Sequence, residues 1–300
     1  MKIKLIALNL LCVAAFTCAG VKINYGLSTH QNKRPYQEDR FAYASVDFSK
    51  GYNFFYAPRT HYQGKFFGIY DGHAGDKVSS YLQSNLHKQL RGRTSLENAF
   101  RYAFSAVEKY ALENCDDGST AVAAFINKSN WLCFAWTGDS RAVLEKNGAV
   151  EFATCDHKPD RKDEKERIER AGGKIMMHGV WRVNGLAVSR SVGDAICKQQ
   201  GIGQIIAKPE YVTRTLNPEN HFMVMASDGL WDVMSNEQAV ALVNKALQNG
   251  KSLNTIAQML QDGAIKQGSG DNITVCVIQF DWQVPRESLL KRLWNWMNGK

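Results

Sequence analysis

Apolar residues along the chain fall into short continuous runs bounded by polar turns, with stretches of helical spacing between them. The runs at 66–70 (FFGIY), 119–126 (STAVAAFI), 131–136 (WLCFAW), 141–146 (RAVLEK), 221–227 (HFMVMAS) and 272–280 (NITVCVIQF) are rich in β-branched and aromatic residues and predict strands. Asn147-Gly148, between RAVLEK and AVEFAT, predicts a two-residue hairpin. Helical spacing appears at about 75–90, 95–113, 163–171, 236–247 and 252–267. In the second of these, Leu96, Ala99, Phe100, Ala103, Phe104, Val107 and Leu112 recur near a period of 3.6 and predict one buried face. Strand pairs lie close in sequence, without regular βαβ alternation. This pattern predicts an α+β fold with antiparallel sheets covered by helices, not a doubly wound parallel sheet.

The two ends of the chain break this pattern. Lys2 and Lys4 precede an apolar run from Leu5 to Phe16, and the small residues Thr17-Cys18-Ala19-Gly20 follow. The run is shorter than the roughly 20 residues a helix needs to span a bilayer, and the order matches a secretory signal peptide over 1–19. Cleavage after Ala19 is the leading expectation, and it implies export; a lipoprotein anchored at Cys18, or an ordinary first element of a cytoplasmic protein, stays open. One domain is expected over 22–282. The tail at 283–300 carries Leu289, Leu290, Leu293, Trp294 and Met297 at helical spacing beside Lys291, Arg292 and Lys300. Docking onto the domain and contact with a membrane surface or partner are both open for it. The aromatic stretch at 52–64 lengthens a hairpin loop and suggests no role.

Composition changes little. The chain has 300 residues, 44% of them hydrophobic, enough for a sizeable core. The net charge of +8 points to anionic partners, but the basic residues are dispersed and interleaved with acids, as in DRKDEKERIER at 160–170. No recognition motif accompanies the charge, so nucleic acid is not an expected partner. Cys115, Cys133, Cys155, Cys197 and Cys276 form no CxxC spacing, which argues against a zinc site or a disulfide framework.

Aspartates at the ends of strand-like runs carry the chemistry. They are Asp71 in YDGHAG, Asp139 in TGDSRA, Asp194 in SVGD, Asp228 in ASDGLWD and Asp271 in GSGDNIT, with Glu38-Asp39 in RPYQEDR. Any one of them reads as an ordinary turn. As a set they matter, because Asp71, Asp228 and Asp271 each abut a hydrophobic strand and would meet if those strand ends converge. Such a cluster needs cations to stay ionised, and oxygen ligands favour Mg²⁺ or Mn²⁺ over zinc. Glu38 and Asp39, adjacent along an extended chain, are expected to point apart, so that only one ligates an ion directly.

RPYQEDR, FFGIYDGHAG, DGSTAV, GDSRAVL, DHKPDRKDEKERIERAGGKI, RVNGLAVSRSVGD, KPEYV, ASDGLWDVMSNEQ and GSGDNITVCVI stand in this order and closely resemble the PPM family, the PP2C-type protein serine/threonine phosphatases. The resemblance implies a central β-sandwich of two antiparallel sheets flanked by helices on both sides, acting as a monomer on phosphoprotein substrates. It implies two Mn²⁺ or Mg²⁺ ions per active site: Asp71 bridging both, Asp228 and Asp271 completing one shell, Glu38 and the Gly72 carbonyl holding the other. Asp139 would serve a weaker third ion, shared with Asp228. Asp39 would orient metal-bound water, Arg34 would grip phosphate and His73 would protonate the leaving alcohol. Thr120 and Asn272 would support the ligands. Hydrolysis would proceed by in-line attack of a metal-bridged water, without a covalent intermediate.

Overall fold

The computed structural model describes residues 21–47, 63–90 and 95–282. The expected signal at 1–19, residues 52–62 of the aromatic stretch and the tail at 283–300 lie outside them. Ten strands of the described residues build two sheets. In chain order they are β1 (Lys22–His30), β2 (Arg40–Asp47), β3 (Gln63–Tyr70), β4 (Ala121–Asn127), β5 (Trp131–Thr137), β6 (Arg141–Lys146), β7 (Ala149–Ala153), β8 (Glu210–Thr215), β9 (Phe222–Ala226) and β10 (Ile273–Asp281). One sheet has the order β1-β10-β9-β6-β7 and the other β8-β5-β4-β3-β2, and every pairing is antiparallel.

The sheets face each other through Phe67, Ile69, Phe134 and Trp136 from one side and Leu144, Met223, Met225 and Ile278 from the other. Side chains alternate along a strand, so Phe66, next to Phe67, points outward instead. There it packs with Leu82, Leu86, Phe100 and Phe104 of two covering helices, α1 (Lys77–Gln89) and α2 (Leu96–Asn114). Each such large side chain, fully buried, contributes roughly 1.5–3 kcal/mol. Past α3 (Lys162–Arg170), the helices α4 (Asn236–Gln248) and α5 (Leu253–Lys266) cover the first sheet, with Val240, Val243, Ile256 and Leu260 against Val224, Val275 and Val277. The result is the α+β sandwich with helices on both outer faces.

Local sequence explains the boundaries. Ser95 caps α2, accepting a hydrogen bond from Asn98 N through its side chain. The buried stripe of α2 ends at Ala111, not at Leu112, which is exposed. Four residues after Val107 complete a helical turn, whereas a fifth swings a further 100° or so off the stripe. Asn147 and Gly148 have φ of 51° and 85°, as a tight hairpin between β6 and β7 requires.

The ends of β3, β5 and β9 and the start of β10 meet at one end of the sandwich. A short three-stranded sheet, Gly72–His73, Gly118–Ser119 and Val192–Gly193, lies beside that end.

Candidate metal centre

Asp71 follows the last residue of β3, and its backbone is fixed against Thr120. Its N–H donates to Thr120 Oγ1 at 3.3 Å, and its carbonyl accepts from Thr120 N at 2.9 Å. After β5 the chain turns at Gly138 with φ of 96°, where a Cβ would lie 2.6 Å from the Thr120 side chain. This glycine lets Asp139 lie beside Asp71. Asp228 opens the short helix Asp228–Trp231 behind β9. One oxygen from each of Asp71, Asp139 and Asp228 falls within 4.8 Å of the other two.

Burial, and then the charges of Asp228, Asp39, Asp139 and Asp271, push the Asp71 carboxyl well above the usual carboxylate range. Burial, followed by Asp139 and Asp232, does the same to Asp228. Asp39 is 3% exposed; Ser227 Oγ donates to its Oδ2 at 2.8 Å, while its Oδ1 is buried without a hydrogen-bond partner. Burial raises the Asp39 pKa to about 6. An orphaned carboxylate oxygen next to mutually repelling carboxylates fits a site completed by cations and their water. The convergent donors are all oxygens, which suits Mg²⁺ or Mn²⁺.

The carboxylates that meet differ by one from the three whose strands suggested it: Asp139 stands where Asp271 was expected. Asp271 accepts from Arg34 Nη2 at 2.5 Å and from Asn272 N at 2.7 Å, and its charge still reaches Asp71 and Asp228. The strand argument that separated Glu38 from Asp39 does not hold, because β2 begins only at Arg40. The segment before β2 is held instead by Asn272. Its Oδ1 accepts from Glu38 N at 2.8 Å, and its Nδ2 donates to the carbonyls of Gln31 at 2.8 Å and Tyr36 at 2.9 Å. Gly72 permits a close approach: a Cβ there would lie 2.7 Å from the Glu38 carbonyl oxygen.

Around this centre stand the remaining expected residues. Arg34 keeps 54% of its side chain exposed while touching Asp271. His73 places Nε2 2.9 Å from both oxygens of Asp194. Burial lowers the His73 pKa, but the hydrogen bond and charge of Asp194 outweigh it and the net shift is upward.

Three partners were not assigned from the sequence. Asp194 appeared among the strand-end aspartates, without a role. Asp232 lies one turn beyond Asp228, and its own pKa is raised by burial; the two acids four apart in DGLWD were the available signal. Lys158 Nζ sits 2.5 Å from Asp139 Oδ2. Behind them, buried Glu164 of α3 accepts from Arg190, Arg167 and Ser189, anchoring the SRSVGD segment that carries Asp194.

Cys155 and Arg161 share the C-x5-R spacing of cysteine-dependent phosphatases. The structure gives the pair no such use, because the Arg161 guanidinium is committed to Asp163 and Glu210.

Comparison with known proteins gives the family of the chain. The family model described as Protein phosphatase 2C matches residues 36–273. The chain is 38% identical over 269 residues to probable protein phosphatase 2C 69 of Arabidopsis thaliana, covering 86% of this chain and 70% of the relative. It is 37% identical over 272 residues to probable protein phosphatase 2C 59 of Oryza sativa subsp. japonica, covering 87% and 77%. Among solved structures, the serine-threonine phosphatase 2C from Toxoplasma gondii superposes with a TM-score of 0.71 at 25% identity, over 86% of this chain and 95% of that one. With the family model and these relatives spanning most of the chain, it belongs to the protein phosphatase 2C family, the PPM-type protein serine/threonine phosphatases.

Proposed function

We propose that this phosphatase hydrolyses phosphoserine and phosphothreonine in proteins with two Mn²⁺ or Mg²⁺ ions, and a weaker third, held by Glu38, Asp71, Gly72, Asp139, Asp228 and Asp271. The convergence of Asp71, Asp139 and Asp228 within 4.8 Å carries this reading. Bound divalent cations would supply the counter-charge for the carboxylates and phosphoryl oxygens, and activate water for direct, in-line attack.

The chain's own residues then divide the work. Arg34, exposed and tethered by one nitrogen to Asp271, offers the rest of its fork to two phosphate oxygens. Asp39, whose Oδ1 is buried without a hydrogen-bond partner, orients the attacking water by accepting its hydrogen bond. His73, with one ring edge fixed by Asp194, donates a proton to the departing serine or threonine oxygen. Such an alkoxide is a poor leaving group unless protonated, so this donation matters most for protein substrates.

The test is phosphate release from a phosphothreonine peptide while Mn²⁺ and Mg²⁺ are varied. Turnover should require either ion, stop on chelation and return when the ion is restored. Unchanged turnover in excess chelator would reject the metal-dependent reading.

A further inference from the structure

Lys158 brings a fixed positive charge to the metal centre from a rigid base. His157, one residue earlier, is fully buried; its N–H donates to the Gly138 carbonyl at 2.9 Å, and its carbonyl accepts from Ser189 N at 2.8 Å. The backbone that carries Lys158 is thereby pinned to the residue immediately before Asp139. From there Nζ reaches Asp139 Oδ2 at 2.5 Å, and the charges of Asp228 and Asp232 act on the same ammonium. The Lys158 side chain remains 34% exposed, so solvent lies open to it if it leaves.

Asp139 is also one of the three residues whose oxygens converge. A divalent ion bound there would sit about 2.0–2.1 Å from a carboxylate oxygen if it were Mg²⁺. An ammonium already in contact with that carboxylate would then face the ion at close range, and like charges at such a separation repel strongly.

Building on the cation-site reading above, we propose that Lys158 is a tethered competitor for the ion that Asp139 would help hold. The ammonium neutralises this side of the cluster when the ion is absent and must swing out before the ion can enter. Ions held without Asp139 enter without displacing the ammonium. The weakness expected of the third position would thus follow from exchange with an internal cation, rather than from a shortage of ligands.

The test is calorimetric titration of the full chain with Mg²⁺, comparing wild type, Lys158→Met and Lys158→Arg. Removing the charge should tighten the weakest class of sites by about tenfold, the scale of one charge-assisted contact. The tighter class should stay within about twofold, a change that leaves its charge-assisted contacts intact. Lys158→Arg, which keeps the charge, should resemble wild type. As a second readout, Lys158→Met should melt lower without metal, because buried Asp139 loses its partner, and gain more from added Mg²⁺. Lys158→Gln serves the same purpose should Lys158→Met fail to fold by circular dichroism. Equal or weaker binding at the weakest class in the uncharged variants overturns the proposal while leaving the metal reading intact. Absence of Mg²⁺ and Mn²⁺ binding in every protein, wild type included, overturns both.

Discussion

His73 Nε2 lies 2.9 Å from each carboxylate oxygen of Asp194, so a buried acid holds one edge of the ring. The acid is itself held in place. Ser191 Oγ donates to Asp194 Oδ2 at 2.5 Å, and a Cβ at Gly118 would lie 2.3 Å from that same oxygen, so only glycine admits the carboxylate here. Asp194→Asn should therefore misorient His73 without emptying the site. Turnover of a phosphothreonine peptide should fall by about tenfold or more, within the range for general acid catalysis. Hydrolysis of p-nitrophenyl phosphate, whose leaving group needs no proton, should fall much less. Equal losses on both substrates would show that Asp194 supports the fold rather than the proton donor.

Arg34 makes its observed contact with Asp271 through one nitrogen and leaves more than half its side chain in solvent. Arg34→Ala should lower kcat/KM for a phosphopeptide by roughly 10- to 100-fold, the scale of losing charge-assisted hydrogen bonds. Arg34→Lys should restore little, because an ammonium lacks the planar fork. Steady-state kinetics on the variants decides it, and full activity in Arg34→Lys would argue against a two-point grip.

Glu164 gives a pH-dependent stability with a definite sign. Burial would raise its pKa, but hydrogen bonds from Arg190, Arg167 and Ser189 outweigh this and bring it down to about 2. A carboxyl depressed in the folded state adds stability above its unfolded pKa, near 4.3, and loses it as pH falls toward the folded value. Urea unfolding of wild type should weaken between about pH 4.5 and pH 2 more steeply than that of Glu164→Gln. Parallel pH profiles for the two proteins would refute the assignment.

Gly72→Ala tests the close approach of two backbone segments. The new methyl would sit 2.7 Å from the Glu38 carbonyl and 2.9 Å from Ser79 Oγ, and a backbone carbonyl cannot simply rotate away. The segment carrying Glu38 and Asp39 should shift, with a lower melting temperature and weaker Mn²⁺ binding by calorimetry. Wild-type metal affinity in this variant would show that the contact is dispensable.

Most of the sandwich interior was legible in the sequence, and its borders were not. The six apolar runs correspond to β3, β4, β5, β6, β9 and β10, the inner strands of the two sheets. The edge strands β1, β2 and β8 bury few residues on either face, so KINYGLSTH, RFAYASVD and EYVTRT show no continuous apolar run. The edge strand β7 was visible only through its Asn147-Gly148 turn. The metal centre divides the same way. Its carboxylates announce themselves at the ends of inner strands. Lys158, Asp194 and Asp232 act through contacts that only the folded loops create, and Asp271, which accepts from Arg34, lies outside the three whose oxygens fall within 4.8 Å of one another.

The most direct test of the metal-centred account compares wild type with Asp71→Asn, measuring phosphate release from a phosphothreonine peptide across Mn²⁺ concentrations alongside melting with and without Mn²⁺. Because burial and neighbouring charges disfavour the ionised Asp71 carboxyl, the substitution should leave the metal-free protein as stable as wild type or more so. It should also abolish turnover and remove the rise in melting temperature that Mn²⁺ gives wild type. Wild-type turnover in folded Asp71→Asn, or a Mn²⁺-induced rise equal to that of wild type, would contradict the account.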